Sequence, residues 1–264
     1  MLVFVIPLKG REVSASWTKT CQLLERTLRS ICRQTDQNFK VIVVHGTKPE
    51  IQFEHSSIDY LAVDFDIPSG LPEKRIDKSK KIIQGILYAR KFMPSHIMVV
   101  DADDCISRNL SKYVNNHPDS DGWVLNSGYV YSEYSRFVYY RKSHFYSWCG
   151  SCNIVKFEAC PLPDRNDVDF ADSLIQYYSG DNHANIREHL RKQGYLLEPL
   201  PFVGAVYIIG NGENIYQKGF STLHNANKGK PIFFMKELLK FRPLTPSIRA
   251  EFGLYQLLPK SLAK

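Results

Sequence analysis

No apolar stretch in the 264 residues approaches the ~20 needed to cross a bilayer. The opening Met1-Leu2-Val3-Phe4-Val5-Ile6-Pro7 has no basic residue ahead of its apolar run, and Pro7 cuts that run short of a secretory leader. Zinc-ribbon spacing is incomplete. Cys149-Gly150-Ser151-Cys152, with Cys160 beyond, supplies one half of such a site and nothing supplies the other. A P-loop and a dinucleotide fingerprint are both missing, and Gly10 alone follows the first apolar run, where a nucleotidyl transferase needs a glycine-rich phosphate loop. Internal repeats and low-complexity segments are absent as well. These absences lead us to expect a cytoplasmic protein with its six cysteines reduced.

What is present is ordinary globular material: 44% hydrophobic and 23% charged residues exclude a disordered chain. The formal net charge is +7, but it is unevenly placed. From Lys228 onward there are eight Lys or Arg against two acids, so residues 1–227 are nearly neutral. A nucleic-acid binder spreads its charge over a reading face, and this chain does not, so no nucleic-acid partner is expected. We expect one α/β domain over residues 1–227 and a basic helical extension over 228–264. Within the extension, Pro231-Ile232-Phe233-Phe234-Met235-Lys236-Glu237-Leu238-Leu239-Lys240-Phe241-Arg242 is amphipathic. It can rest peripherally on the anionic inner face of a membrane, or simply pack on the domain.

Apolar runs of strand length occur at residues 2–6, 39–44, 60–63 and 96–100. Helical periodicity separates them over 17–34 and over 77–92, the second with Asp77 as its predicted cap and 66–75 as a loop. This alternation predicts a mostly parallel sheet with helices on both faces. Ligands in such sheets bind beyond the carboxyl ends of the strands. Pro7-Leu8-Lys9, His45-Gly46-Thr47 and Asp101-Ala102-Asp103 all stand there, so three strand ends are expected to share one crevice. A short helix is expected at 110–114. Ten aromatics then fall between Trp123 and Trp148 in alternating patterns that predict antiparallel strands. Helical pattern returns at 170–178 and at 183–193, which Gly194 closes, and 203–209 reads as a last strand.

The chemistry points to Asp101-Ala102-Asp103-Asp104. Three carboxylates in four residues repel one another unless water or a cation separates them. A hard divalent ion prefers carboxylate oxygen and keeps positions open for phosphate. At a strand end a D-x-D spacing turns alternate side chains the same way, so Asp101 and Asp103 can face one ligand, while Asp104 suits a cap. An ordinary Asp-rich surface turn would show the same residues, and the preceding Ile97-Met98-Val99-Val100 is what sets this cluster apart.

The segment Asp77-Lys78-Ser79-Lys80-Lys81…Gly85…Ala89…His96-Ile97-Met98-Val99-Val100-Asp101-Ala102-Asp103-Asp104 resembles the corresponding stretch of family-2-type glycosyltransferases of the GT-A fold, in the nucleotide-diphospho-sugar transferase superfamily. Val5-Ile6-Pro7 is similar to their first strand. Gly150-Ser151-Cys152-Asn153-Ile154-Val155 resembles their strand beside the acceptor pocket, and Gly180-Asp181-Asn182-His183, with Leu190, Lys192 and Gly194-Tyr195, their acidic helix start. The resemblance runs from residue 2 to about 215. It implies a GT-A sheet with a smaller antiparallel acceptor side, and a metal-dependent transfer of sugar from a nucleoside-diphosphate sugar, UDP by default, to a carbohydrate or lipid-linked acceptor with inversion. It also implies Mn2+ or Mg2+ on Asp101 and Asp103, with His224 as a further ligand. Donor contacts would come from Pro7, Lys78, Lys81 and Asp101, with Asp64 or Asp66 after the third strand available to the base or ribose, and acceptor contacts from Trp148, Gly150 and Ser151. Asp181 would be the base that takes the acceptor proton, or equally the cap of the helix it precedes. The family's usual Glu-Asp pair is here Asp181-Asn182, and His45 stands where an acid is common. Those departures leave open a catalytically degenerate GT-A domain that binds a nucleotide-sugar or carbohydrate.

Overall fold

The computed structural model describes residues 1–163, 170–179, 186–213 and 237–257. The chain starts with β1 (Leu2–Pro7), buried at every position. Ser16 then caps α1 (Trp17–Ile31), its hydroxyl accepting from the Lys19 N–H, and the apolar stripe Trp17, Cys21, Leu24, Leu28 and Ile31 turns inward. β2 (Phe39–His45) and β3 (Ile58–Ala62) follow. Helix α2 (Leu71–Ala89) begins well ahead of its predicted start at Asp77. The cause is local. Glu73 Oε2 reaches back to accept from the N–H groups of Ser69 and Gly70, and Pro72 is preset for a first helical turn.

Next come β4 (His96–Val99), β5 (Cys105–Ile106), α3 (Leu110–Asn115), β6 (Gly122–Val124), β7 (Gly128–Ser132), β8 (Phe137–Arg141) and β9 (Asn153–Lys156). α4 (Asp172–Tyr177), α5 (Ile186–Lys192), β10 (Glu198–Pro199), β11 (Ala205–Ile209), β12 (Phe241–Pro243) and α6 (Pro246–Phe252) complete the described elements. Gly194, with φ +92°, ends the run after α5 in a conformation that side chains rarely adopt.

The larger sheet runs β10-β6-β9-β4-β1-β2-β3 among the described residues. β1 lies parallel to both β2 and β4, and β2 parallel to β3, while β9 enters antiparallel between β4 and β6. Alternate residues of the central strands face opposite layers. Val3, Val5, Ile42 and Val44 pack with Ile82, Ile86 and Ala89 of α2. Leu2, Phe4, Ile6, Val41 and Val43 pack with Leu24, Leu28 and Ile31 of α1. This two-sided burial is why these strands read as unbroken apolar runs.

The second sheet runs β12-β8-β7-β11-β5, antiparallel except where β11 lies parallel to β7. β6, expected among the antiparallel aromatic strands, instead joins the larger sheet. Residues 237–257, expected to belong to a separate helical extension, supply the edge strand β12 to β8. Phe252 and Leu254 are buried with Tyr131, Val206 and Ile208. Of the amphipathic segment, 231–236 lies outside the described residues, and Leu238 and Leu239 are exposed. No helix among the described residues is long and apolar enough to cross a membrane.

Helix α2 lies close on the sheet at Gly85. A Cβ there would come within 2.4 Å of Val5 Cγ1 and 2.9 Å of Val44 Cγ2. Gly85→Ala is expected to destabilise the protein by about 1–3 kcal/mol through overpacking, despite alanine's better helix propensity, as read from urea unfolding.

Candidate active site

Strand β4 ends at the acidic cluster, and the chain turns at once: the Asp104 N–H donates to the Asp101 carbonyl at 3.1 Å. The turn sorts the three acids. Asp101 and Asp103 line a cavity of about 780 Å³ at the carboxyl ends of β1 and β4. Asp104 points the other way and is fully buried. Its Oδ2 accepts from Ser151 Oγ at 2.7 Å and from Cys149 Sγ at 3.3 Å, and its Oδ1 accepts from the Ile208 N–H at 3.2 Å. Burial, reinforced by the charges of Asp103 and Asp101, pushes the Asp104 carboxyl well above its usual range.

Asp101 is held on three sides. Lys78 Nζ donates to its Oδ1 at 2.5 Å, its backbone N–H donates to Ser151 Oγ at 2.8 Å, and its Oδ2 lies against Gly150. A Cβ at Gly150 would come within 2.5 Å of that oxygen, so the missing side chain makes room for the carboxylate. Burial opposes the Lys78 ammonium, but the charge and hydrogen bond of Asp101 outweigh it and its pKa is raised. Asn211 Nδ2 donates to Asp103 Oδ2 at 2.8 Å. Burial and the neighbouring Asp101 charge raise the Asp103 carboxyl to about 6.

The same cavity is lined by basic residues. Lys74, Arg75, Lys78 and Lys81 come from α2, and Lys9 from the loop after β1. Lys81 donates to Asp77 at 2.7 Å and Lys9 pairs with Glu213. Glu213 is itself nearly buried. Its Oε1 accepts from the Ser16 N–H at 2.7 Å and its Oε2 from the Ala15 N–H at 3.2 Å, so it seats the loop after β11 on the start of α1, where a helix favours negative charge.

Of the candidate residues, Pro7, Lys78, Lys81, Asp101, Asp103, Trp148 and Gly150 share this cavity. Ser151 lies beneath it, buried, where it braces Asp101 and Asp104. Arg141 already rests 3.9 Å over the Trp148 ring, so that contact would have to part before a sugar could stack there. Asp64 is exposed and outside the lining, whereas Asp66 borders a smaller pocket of about 40 Å³ beside it. The expected meeting of three strand ends is reduced to two. The loop at Ile67 and Pro68 borders both cavities, so only Gly46 of the β2 end is reached, through the smaller pocket, and His45 is buried. Asp181 and His224 lie outside the described residues. Cys149 and Cys152 are buried thiols.

Sequence reasoning missed Asn211, Glu213 and Tyr207. All three belong to β11 or the loop after it, in the smaller sheet. Tyr207 lines the cavity, and burial together with the acidic cluster raises its phenol, leaving it a neutral O–H donor.

Among the described residues no three His, Cys, Asp or Glu side chains form a metal-holding group. The carboxylates of Asp101 and Asp103 nevertheless fit a hard divalent ion of the Mg2+ kind. Such an ion takes one or two protein carboxylates and completes its shell with phosphate oxygens and water.

No protein-family model matches the sequence, and no curated protein does. Solved structures that resemble the chain include S. aureus TarS, at 10% identity and TM-score 0.48, covering 79% of this chain and 36% of that one. TarS 1–349 in complex with UDP aligns at 11% identity and TM-score 0.45, over 79% and 60% of the two chains. Francisella tularensis 2-C-methyl-D-erythritol 4-phosphate cytidylyltransferase (IspD) aligns at 13% and 0.39, over 86% and 98%. The chain thus spans 36% and 60% of the two TarS chains. At these scores the likenesses carry no argument, and the chemistry rests on the residues of the cavity.

The raised Asp103 carboxyl has a consequence for stability. A carboxyl whose folded pKa lies near 6 against 3.8 unfolded costs nothing below about 3.8; the cost builds as pH rises from 3.8 to 6 and is constant above that. Asp103→Asn is therefore expected to stabilise the ligand-free protein at pH 7.5 by about 1–2 kcal/mol, discounted for partial solvent exposure at the cavity wall. The gain should shrink toward zero by pH 4, as followed by thermal unfolding across that range.

Proposed function

We propose that this chain is a transferase acting on a nucleoside-diphosphate sugar, and more narrowly a glycosyltransferase. One observation carries the reading. Asp101 and Asp103 stand at the carboxyl end of a parallel strand and share a cavity of about 780 Å³ with basic residues of α2. That volume suits a nucleotide-sugar. A diphosphate needs cations around it as negative charge grows on the leaving group, and Lys9, Lys74, Arg75, Lys78 and Lys81 supply a wall of them. Asp101 and Asp103 would hold Mn2+ or Mg2+, whose part is to neutralise the departing diphosphate.

The remaining roles are proposed as follows. Pro7 and Leu8 form the floor at the end of β1, and Tyr207 offers its O–H beside the acids. Asp66, bordering the adjoining pocket, is better placed than Asp64 to meet a base or ribose. Trp148 and Gly150 border the side from which an acceptor hydroxyl would approach, with the acceptor a carbohydrate or a lipid-linked one. Asp181 remains the proposed base for an inverting transfer, His224 a proposed further metal ligand, and the basic C-terminal segment a proposed peripheral contact with a membrane.

A thermal-shift panel of nucleoside mono- and diphosphates and their sugars, with and without Mn2+, tests the reading. A ligand at about a hundred times its Kd adds about 2.7 kcal/mol, which for a chain of this size is a shift of about 5–10 °C. We expect one nucleoside diphosphate and its sugar to stand out. Asp103→Ala should remove both the Mn2+-dependent part of the shift and transfer to acceptor. A flat panel would sink the proposal, and a selective shift without turnover on several acceptors would reduce it to a binding module.

A further inference from the structure

We infer that Lys78 is the built-in counter-cation of the acidic pair, and that its ammonium and a divalent ion compete for Asp101. The inference rests on the nucleotide-sugar reading of the cavity. Its grounds are geometric. Asp101 Oδ1 accepts from Lys78 Nζ at 2.5 Å. On the other side Asp101 Oδ2 meets the backbone of Gly150, and the Asp101 N–H is tied to Ser151 Oγ. The carboxylate thus lies between an ammonium and the face of Gly150 that has no side chain. Both partners are mostly withdrawn from water, with side chains 22% and 23% exposed, so solvent screens the pair less than a surface bridge. Lys81 and Lys9 are engaged elsewhere, with Asp77 and Glu213. Among the described residues, Lys78 is the lysine whose ammonium is hydrogen-bonded to the acid cluster.

A hard divalent ion binds carboxylate oxygen at about 2.0–2.6 Å. An ammonium hydrogen-bonded to the same oxygen occupies one approach to it and repels the ion. Lys78 therefore has to leave Asp101 before the oxygen can serve a metal. Its flexible four-carbon stem permits this while α2 stays in place, provided the ammonium finds another anion. The diphosphate of a donor is such an anion. Ion and nucleoside diphosphate then bind with positive coupling, because each makes room for the other, and the coupling is reciprocal. The ligand-free protein keeps a charge-balanced pair in place of a tight metal site.

Titrating Mn2+ by electron paramagnetic resonance, with and without UDP or whichever nucleoside diphosphate the thermal panel selects, tests this on the wild-type chain, Lys78→Met and Lys78→Gln. Without nucleotide both variants should bind Mn2+ at least tenfold more tightly than wild type. The factor by which nucleotide tightens Mn2+ should fall at least fivefold in each. Two variants of different polarity guard against one that folds poorly, and the thermal midpoint of each is recorded alongside. If wild type binds Mn2+ with nucleotide while both variants gain nothing without it, the competition is refuted and the site reading stands. If wild type binds no Mn2+ with any nucleoside diphosphate, the metal assignment and this inference fall together.

Discussion

The buried carboxyl of Asp104 takes hydrogen bonds from two sheets at once. The Ile208 N–H comes from β11 in the smaller sheet, while Ser151 and Cys149 come from the approach to β9 in the larger one. A buried carboxyl is costly unless its oxygens are satisfied, so these donors are obligatory partners rather than chance neighbours. Through them the end of β4, the start of β9 and the middle of β11 are held at one point. The cavity opens beside that point, and Ser151 passes the constraint on by accepting from the Asp101 N–H. Two acids can face a ligand because the third is turned inward.

A second set of contacts closes the site from the far side. Asn211 reaches Asp103 with its amide, and its Oδ1 accepts from the Glu213 N–H at 2.8 Å. Glu213 in turn holds Lys9 and the N–H groups of Ala15 and Ser16. One short loop after β11 thus connects the acid cluster to the loop after β1 and to the start of α1. The charges around the cavity are largely balanced within the protein by lysine–carboxylate pairs.

Much of the larger sheet was legible because parallel strands buried on both faces show as apolar runs, and β1, β2 and β4 are such runs. The placement of Asp101 and Asp103 on the cavity was legible too, since acids that end an apolar run fall at the carboxyl edge of such a sheet. The start of α2 was not, because Ser69, Gly70 and Pro72 read as loop residues until Glu73 is seen capping them. The parts played by Asn211 and Glu213 were hidden by distance along the chain: each acts on residues more than a hundred positions away, and only the pairing of β11 beside β5 and β7 brings them near. Likewise, no local pattern distinguishes β6, which joins the larger sheet, from β7 and β8, which join the smaller one. The role of Gly150 is a matter of clearance, visible once the Asp101 carboxylate is seen lying against it.

Gly85 offers one consequence beyond packing. By letting α2 settle onto Val5 and Val44, it fixes the helix that carries Lys74, Arg75, Lys78 and Lys81 before any ligand arrives. The backbone ordering needed to present four cationic side chains is thereby met during folding. Capture of the proposed phosphate-bearing ligand would then immobilise mainly side-chain torsions, and more of the contact energy would appear as affinity.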